Sequence, residues 1–485
     1  MRAGALTVSA KPLRIGNPPP PFSIFTLGCK LNQVESEAIA DLFKKAGFSL
    51  VPWGAASEKP GLLIINTCTV TSKADQKARR VIRKALRDNP DACVIVTGCY
   101  AQLDAAEIKA LQAESAARRL FVLGTDECGA GKSKSSLLKL PEYLAAKGLS
   151  NENSLPAALD TWAETAQRGS PFSFKPQEFT FHSRAYLKIQ DGCDNACAYC
   201  RVRLARGSSV SLPAAEALDE LHSLEAAGCA EVMITGVNIT QYRYENFDLA
   251  GLLRFLLDGS RSIALRLSSL EPEGINESLA AVLAHPRIRP HFHLSVQSGS
   301  DAVLEKMGRV YNTREAAECA ALLRSVKGNP FLACDTIAGF PGETEADFAQ
   351  TIAFCENIGF AWIHAFPYSK RPGTAAFSMG NPVPERDITR RVQTLTALAM
   401  KGRRNYAQAW LGKELSAVVE KGKVRHPEVA GQCRAVSENY LKLSVNYTGQ
   451  MPQPGSSIRC VPVMLCEGAD GEKPDAVAEI TPSIV

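Results

Sequence analysis

The sequence lacks the features that mark membrane and secreted proteins. No stretch approaches the ~18 uninterrupted apolar residues that a membrane-spanning helix needs. The N-terminal residues 1–21 carry scattered charge and four consecutive prolines, but no apolar segment typical of a signal peptide, and they predict a disordered leader. With 45% hydrophobic and 22% charged residues, the composition is that of an ordinary globular protein.

A strong charge bias and a disulfide framework are also missing. The 55 Lys and Arg exceed the 50 Asp and Glu by only five, so any nucleic-acid contact must come from local basic surfaces. The 15 cysteines are spread over 485 residues, and several lie inside apolar runs such as residues 91–96, unlike the cysteines of small secreted proteins. This usage predicts a reducing, cytoplasmic environment. The length itself predicts two or three domains.

Three cysteines lie close together in one predicted loop. Cys193, Cys197 and Cys200 have the spacing C-x-x-x-C-x-x-C directly after a predicted strand. Thiolates this close can converge on one soft metal centre. A structural zinc site normally has four ligands, and this loop contains no fourth Cys or His. The spacing therefore favours a [4Fe-4S] cluster with one open coordination position, the alternative being free or zinc-binding cysteines.

Residues 22–128 alternate between strand and helix patterns, which predicts a small parallel sheet. Functional groups gather at the carboxyl ends of strands in such sheets. Three cysteines, Cys29, Cys68 and Cys99, each follow an apolar run and precede a helical pattern. They therefore predict a second three-cysteine cluster site, unless they are three unrelated core thiols.

Two further segments of the N-terminal half are distinctive in composition. The predicted helix at residues 72–88 carries seven Lys or Arg residues, and its face is either solvated or in contact with nucleic-acid phosphates. Residues 129–180 are rich in Ser, Ala, Gln and Pro, which predicts a flexible linker.

Residues 181–384 contain six further strand–helix repeats, which predict a partial (β/α)6 barrel. The candidate strands are residues 185–190, 231–235, 264–268, 291–295, 331–336 and 362–366. The loop with Cys193 follows the first of them. In this architecture the working loops lie at the carboxyl ends of the strands.

The C-terminal part changes character again. A charged connecting helix is predicted at residues 385–410, and short strands separated by Gly, Asn and Pro predict a small β-barrel at residues 411–468. Between Lys413 and Arg459, seven Lys or Arg residues oppose four Glu residues, so the barrel is either a nucleic-acid module or a neutral accessory domain. Residues 469–485 are predicted to form a tail.

These segments together resemble the methylthiotransferase family of radical S-adenosylmethionine (SAM) enzymes, over roughly residues 22–463. The resemblance implies an N-terminal methylthiotransferase domain, a radical SAM barrel and a C-terminal TRAM-like domain. The matching runs are TLGCKLNQ at 26–33, NTCTV at 66–70, VTGCYAQ at 96–102, KIQDGC at 188–193, LSVQSGS at 294–300, AGFPGET at 338–344 and HAFPYSKRPGT at 364–374.

Three branches of this family compete. The runs ESE at 35–37, RLSSLEP at 266–272 and PYSKR at 367–371 look most like the MtaB type, which acts on N6-threonylcarbamoyladenosine in tRNA. The alternatives are the MiaB type, which acts on isopentenyladenosine in tRNA, and the RimO type, which acts on an aspartate of a ribosomal protein. After Cys200 the chain departs from the family pattern, with Arg201-Val202-Arg203 where apolar residues and a proline are usual.

The resemblance also implies roles for residues. Cys193, Cys197 and Cys200 are expected to hold the [4Fe-4S] cluster that reduces SAM to a 5′-deoxyadenosyl radical. Cys29, Cys68 and Cys99 are expected to hold a second [4Fe-4S] cluster that binds the sulfur to be inserted. The expected SAM contacts are Thr235, Gly236, Asn238, Glu271 and Gln297. The expected partners are a tRNA anticodon loop, an electron donor and a sulfur source, with no membrane.

Overall fold

A computed structural model describes residues 19–55, 58–114, 119–124, 134–147, 154–165, 169–421, 431–468, 471 and 473–481. The predicted leader at residues 1–21 lies almost wholly outside the described residues. The described chain forms an N-terminal unit, a barrel unit and a C-terminal barrel, which confirms the predicted α/β architecture.

The N-terminal unit is a parallel four-stranded sheet in the order β1-β2-β3-β4. Every residue of β2 and β3 is buried, as expected of central strands covered on both faces. The predicted pattern missed the short fourth strand. The elements are β1 Phe22–Thr26, α1 Lys30–Lys45, β2 Leu62–Thr67, α2 Ser72–Asp88, β3 Cys93–Gly98, α3 Cys99–Leu103, α4 Ala105–Ala110 and β4 Leu120–Val122.

The predicted flexible linker at residues 129–180 is wrong for much of its length. A 3-10 helix at Lys134–Leu138 is followed by α5 Leu140–Lys147 and α6 Leu155–Thr165. Leu140 and Trp162 are buried in one core with Phe22 and Phe43 of the N-terminal unit. The Ser, Ala, Gln and Pro content predicts a linker, but Ala is the strongest helix former and the leucines of these helices supply an apolar face.

The barrel unit contains six principal parallel strands, β5, β8, β11, β12, β13 and β14, in chain order. Two three-stranded sheets meet where Leu265 pairs with Ile288 and Leu270 pairs with Leu294. The elements are β5 Ala185–Lys188, β6 Gln190–Asp191, α7 Val202–Arg206, β7 Val210–Ser211, α8 Ala214–Ala226, β8 Glu231–Thr235, β9 Arg243–Tyr244, β10 Phe247–Asp248, α9 Leu249–Gly259, β11 Ala264–Leu267, α10 Glu277–Leu283, β12 His291–Gln297, α11 Asp301–Lys306, α12 Thr313–Ser325, β13 Phe331–Ala338, α13 Glu345–Ile358 and β14 Trp362–Pro367. The six predicted strands are all present.

Helix α1 of the N-terminal unit packs against the barrel unit. Val34 is buried against Tyr186 of β5 and Met233 of β8, and the Tyr186 hydroxyl donates to Gln33 Oε1 at 3.0 Å. Because α1 begins directly after Cys29, this packing brings the N-terminal cysteines towards the barrel.

The C-terminal part begins with the long helix α14 Glu385–Gln408 and continues into a closed five-stranded barrel. The barrel was predicted, but its extent was not. Residues 469–485 were predicted to form a tail, whereas β19 lies between β17 and β18 and closes the barrel. Asp475, just before β19, is held by Arg403 of α14 at 2.8 Å. The strands are β15 Leu415–Val419, β16 Gln432–Ser437, β17 Lys442–Asn446, β18 Ser457–Leu465 and β19 Ala476–Ile480.

Candidate cluster and cofactor site

The N-terminal triplet, which we define as Cys29, Cys68 and Cys99, lies at the carboxyl ends of β1, β2 and β3. Cys29 is the residue before α1, and Cys99 is the first residue of α3. Gly28 adopts a φ of +103°, and a Cβ at this position would lie 2.4 Å from Cys68 Cβ. Only glycine therefore allows the Cys29 loop to approach Cys68 this closely.

The thiols of the N-terminal triplet act on one another. Burial raises the pKa of Cys68 to about 12, and the neighbouring Cys29 and Cys99 thiols contribute to this rise. Burial also raises the pKa of Cys99, while the Arg206 guanidinium opposes that rise. The parallel sheet thus brings together three residues that are far apart in sequence, as the strand–helix pattern predicted.

Thiols are the donors that a protein supplies to an iron–sulfur cluster, and the N-terminal triplet has three of them. Within the described residues, no group of three or more His, Cys, Asp or Glu side chains can hold one metal ion. Each cysteine of an iron–sulfur cluster binds a different iron, so its ligands need not converge on one point. Three neighbouring thiols without such convergence are compatible with that arrangement.

The loop triplet, which we define as Cys193, Cys197 and Cys200, follows β6. Gln190 organises the start of this loop, because its amide donates to Asp191 O at 2.9 Å, Gly192 O at 2.7 Å and Ser209 Oγ at 2.9 Å. Gly192 has a φ of +68°, and a Cβ there would lie 1.9 Å from Ser208 O. The tight turn before Cys193 therefore requires glycine.

The three loop thiols also lie close to one another. Burial raises the pKa of Cys200 to about 12, and the Cys197 and Cys193 thiols add to the rise. The Val202 backbone N–H donates to Cys200 Sγ at 3.4 Å. Arg309 Nη1 donates to Cys197 Sγ at 3.1 Å. Thiolates are thus supplied with hydrogen bonds that favour their charged form.

Three of the predicted SAM contacts lie at the end of β8 and directly after it, beside the loop triplet. Within the described residues, the buried Thr235 hydroxyl has no hydrogen-bond partner. A Cβ on Gly236 would lie 2.8 Å from Gln190 Oε1, so the backbone approaches the start of the cysteine loop. Asn238 is buried, and within the described residues its side-chain Nδ2 has no hydrogen-bond partner. Burial raises the pKa of Cys193, and the nearby Asn238 side chain opposes that rise.

The other two predicted SAM contacts stand at later strand ends. Burial raises the pKa of Glu271 to about 7, and the Arg309 guanidinium, which contacts the Glu271 carboxylate, opposes this rise. Glu271 in turn raises the pKa of Cys193 and Cys200, so it lies near the loop triplet. Gln297 ends β12 with a φ of +66°, an uncommon conformation for this residue type.

Arg309 was not identified from the sequence. Its side chain is 3% exposed and contacts Cys197, Glu271 and the Tyr311 hydroxyl, the last at 3.1 Å. It lies in a loop after α11, where neither periodicity nor spacing distinguishes it from a surface arginine. The position of Arg309 beside Cys197 becomes visible only when that loop packs on the cysteine loop.

The departure after Cys200 also has a structural explanation. Arg201 crosses to the N-terminal unit, where it donates to Asp104 Oδ2 at 3.0 Å and Thr69 Oγ1 at 3.3 Å. Arg371 of the barrel unit reaches the same place, donating to Thr69 Oγ1 at 2.6 Å and Asp75 Oδ2 at 2.5 Å. Arg201 therefore takes part in a set of charged contacts between the two units.

Comparison with known proteins identifies the class first. Residues 22–118 match the model of "Uncharacterized protein family UPF0004", and residues 187–355 match the model of the radical SAM superfamily. The barrel unit with its loop triplet is therefore a radical SAM domain.

Curated relatives identify the family within this class. The chain is 42% identical to the threonylcarbamoyladenosine tRNA methylthiotransferase MtaB of Treponema pallidum, over 90% of this chain and 97% of the relative. It is 36% identical to MtaB of Thermotoga maritima, over 82% of this chain and 86% of the relative. It is 30% identical to the tRNA-2-methylthio-N(6)-dimethylallyladenosine synthase of Geobacter metallireducens, over 90% of this chain and 94% of the relative. The chain belongs to the MtaB family of radical SAM methylthiotransferases, which confirms the resemblance.

Proposed function

We propose that this protein adds a methylthio group to C2 of N6-threonylcarbamoyladenosine, next to the anticodon of tRNA. The observation that carries this proposal is the 42% identity to the Treponema relative over 97% of its length. The relatives reported above all modify tRNA by name, which favours tRNA over a ribosomal protein as substrate. The dimethylallyladenosine branch is the weaker alternative, at 30% identity.

Membership of the radical SAM superfamily supports an iron–sulfur cluster and SAM as cofactors. We assign one [4Fe-4S] cluster to the loop triplet and a second to the N-terminal triplet. When bound, these groups supply the one-electron chemistry that breaks an unactivated C–H bond and the sulfur that is inserted. We assign the SAM contacts to Thr235, Gly236, Asn238, Glu271 and Gln297.

The side chains around the loop triplet orient its ligands and exclude water. Gln190 holds the turn before Cys193 and also accepts the Asn238 backbone N–H at 2.9 Å. Arg309 holds Cys197 through a hydrogen bond to its Sγ. Val34 and Tyr186 are buried at the contact between the two units, and a dry environment of this kind protects reactive species from side reactions.

We infer that the anticodon loop contacts part of the basic face of α2. Arg79 is not available for phosphate, because it donates to the Tyr100 hydroxyl at 2.8 Å and pairs with Glu107 at 2.8 Å. Lys73, Lys77 and Arg80 are exposed on the same helix. A single-stranded loop suits the reaction, because C2 of adenine is accessible only in an unstacked base.

The C-terminal barrel is the second proposed tRNA contact, although part of its basic excess is neutralised. Arg459 pairs with Glu414 at 2.9 Å, and Lys421 donates to the backbone of residue 179. Among the described residues, no helix is both long and apolar enough to cross a membrane. A cytoplasmic location, an electron donor and a sulfur source remain predictions.

The test is turnover with two tRNAs under anaerobic conditions. Reconstituted protein, SAM, a reductant and a sulfide source are combined with tRNA carrying either threonylcarbamoyladenosine or isopentenyladenosine, and the nucleosides are analysed by mass spectrometry. We expect a methylthio product from the first tRNA only. Product from the isopentenyladenosine tRNA alone would overturn the substrate assignment, and absence of product from both would overturn the activity.

A further inference from the structure

A buried network of five charged side chains connects the N-terminal unit to the cysteine loop of the barrel unit. Each of these side chains is at most 5% exposed. They comprise two carboxylates and three cations, which gives an excess of one positive charge. The members are Glu35 in α1, Lys134 in the 3-10 helix before α5, Lys188 in β5, Asp191 in β6 and Arg206 in α7.

Arg206 spans the two units through hydrogen bonds, and Lys188 Nζ lies 3.7 Å from the same Glu35 carboxylate. Its Nη1 donates to Glu35 Oε1 at 3.2 Å and to Asp191 Oδ2 at 2.9 Å, and its Nη2 donates to Asn32 Oδ1 at 3.0 Å. Lys188 pairs with the same Asp191 at 2.5 Å. One guanidinium therefore holds α1 and the cysteine loop together.

The network connects to the N-terminal triplet through Asn32. The Asn32 side-chain amide donates to Leu27 O at 2.7 Å and to Thr67 O at 2.9 Å. These two carbonyls belong to residues directly before Gly28 and Cys68. Asn32 thus accepts a hydrogen bond from Arg206 and, with the same side chain, fixes the backbone beside two of the three cysteines.

The network connects equally closely to the loop triplet. Asp191 Oδ1 accepts the Gly192 N–H at 2.8 Å, in the turn that precedes Cys193. Gly207, which follows Arg206, accepts the Cys193 N–H at 3.1 Å through its carbonyl oxygen. Arg206 is therefore joined to the backbone of each triplet through short chains of hydrogen bonds.

Stability alone does not account for so many buried charges. Burying an ion pair costs desolvation energy that its attraction rarely repays, and apolar replacements are often neutral. Although burial opposes it, Lys134 and Arg206 hold the pKa of Glu35 well below its ordinary value, so this carboxyl is kept in its charged form. What a rigid, directional network offers is a fixed geometry between the elements that it joins.

We propose that Arg206 is a positioning residue, which fixes the N-terminal triplet relative to the loop triplet by binding Asn32, Glu35 and Asp191 at once. The proposal rests on the proposed function in that both triplets hold clusters. Arg206 sets the separation between the two cluster sites. This separation in turn sets the distance between the sulfur and the SAM-binding end of the barrel.

The experiment compares Arg206→Gln and Arg206→Lys with the matched control Arg203→Gln. Arg203 lies on the same short helix, and its side chain is exposed and donates to Asp194 O at 3.4 Å. Two quantities are measured for each variant. They are backbone amide hydrogen exchange and, in the reduced reconstituted protein, the magnetic interaction between the two clusters by electron paramagnetic resonance.

For Arg206→Gln we expect exchange to rise at least about tenfold in both α1 and residues 191–207, because one partner of a buried charge network is removed. The magnetic interaction between the clusters should weaken or become heterogeneous. Arg206→Lys should show intermediate values, since the charge is kept but the fork that reaches three partners is lost. Arg203→Gln should behave as the unmodified protein.

Three results would overturn the proposal. One is unchanged exchange in α1 for Arg206→Gln, and another is an equal effect of Arg203→Gln. The third result applies if Arg206→Gln does not fold. In that case the proposal is overturned if Arg206→Lys behaves as the unmodified protein in both measurements. Failure of the proposed function is distinguishable, because it appears as a missing cluster in the unmodified protein, whereas the exchange data judge Arg206 whatever the iron content.

Discussion

Arg309 Nη1 donates a hydrogen bond to Cys197 Sγ at 3.1 Å, and the same guanidinium contacts the Glu271 carboxylate. One buried cation thus touches both a proposed cluster ligand and a proposed SAM contact. Reduction potentials of iron–sulfur clusters depend on net charge and on hydrogen bonds to the sulfurs. This contact is therefore expected to tune the cluster at the loop triplet.

Replacing Arg309 with Gln should make the reduction potential of that cluster more negative, on the order of tens of millivolts, because a positive charge and a donor to sulfur are removed. The measurement is a redox titration followed by electron paramagnetic resonance, with iron content determined in parallel. Arg314→Gln is the control, since Arg314 is exposed on α12. An unchanged potential with full iron content would show that Arg309 serves the fold alone.

Gly28→Ala should remove the N-terminal cluster and leave the loop cluster in place. The added Cβ would lie 2.4 Å from Cys68 Cβ, at a φ of +103°. We expect the iron content to fall by about four per chain. Gly47→Ala is a matched control, because Gly47 has a φ of +88° but no described residue has an atom within 4 Å of its Cβ position. An equal loss of iron in both variants would mean that backbone strain, and not contact with Cys68, is responsible.

Glu231→Gln should lower the free energy of unfolding by about 3–5 kcal/mol, because Arg266 would be left as an uncompensated buried charge. Glu231 accepts from Arg266 at 2.6 and 2.9 Å inside the barrel unit. Urea unfolding measures the change, and Glu277→Gln on the exposed start of α10 is the control. A loss of less than about 1 kcal/mol would contradict a central role of this pair.

The same carboxylate predicts a pH dependence. Although burial opposes it, Arg266 lowers the pKa of Glu231 to about 2, from the ordinary value of 4.5. The unfolded state therefore binds more protons between these values, so the contribution of Glu231 is complete above pH 4.5 and is lost as the pH falls towards 2. As the pH falls through this window, the free energy of unfolding of the unmodified protein should decrease more steeply than that of Glu231→Gln. Parallel curves would contradict the prediction.

Arg80→Glu should weaken tRNA binding, and the slope of log affinity against log salt should decrease by about one for the lost phosphate contact. The measurement is binding at several salt concentrations. Arg314→Glu, a charge reversal on an exposed helix of the barrel unit, should leave the slope unchanged. If Arg80→Glu also leaves it unchanged, the exposed face of α2 does not contact tRNA.

Much of this architecture could be predicted from local patterns. The six barrel strands and the strand-end positions of Cys29, Cys68 and Cys99 follow from alternating apolar and helical segments, which are encoded within each repeat. The loop triplet is visible from spacing alone. Strand β19 and helices α5 and α6 are not predicted, because these elements are short and their apolar residues acquire meaning only against a distant core. Arg206 and Arg309 were missed because their partners lie in other units or loops.

The central claim is that one chain holds two clusters on two cysteine triplets. The most direct test is the iron and sulfide content of anaerobically reconstituted protein, measured for the unmodified chain, for the triple Ala variant of each triplet and for the control Cys229→Ala. We predict about eight irons in the unmodified chain and in the control, and about four in each triple variant. About four irons in the unmodified chain, unchanged by substitution of Cys29, Cys68 and Cys99, would contradict the account.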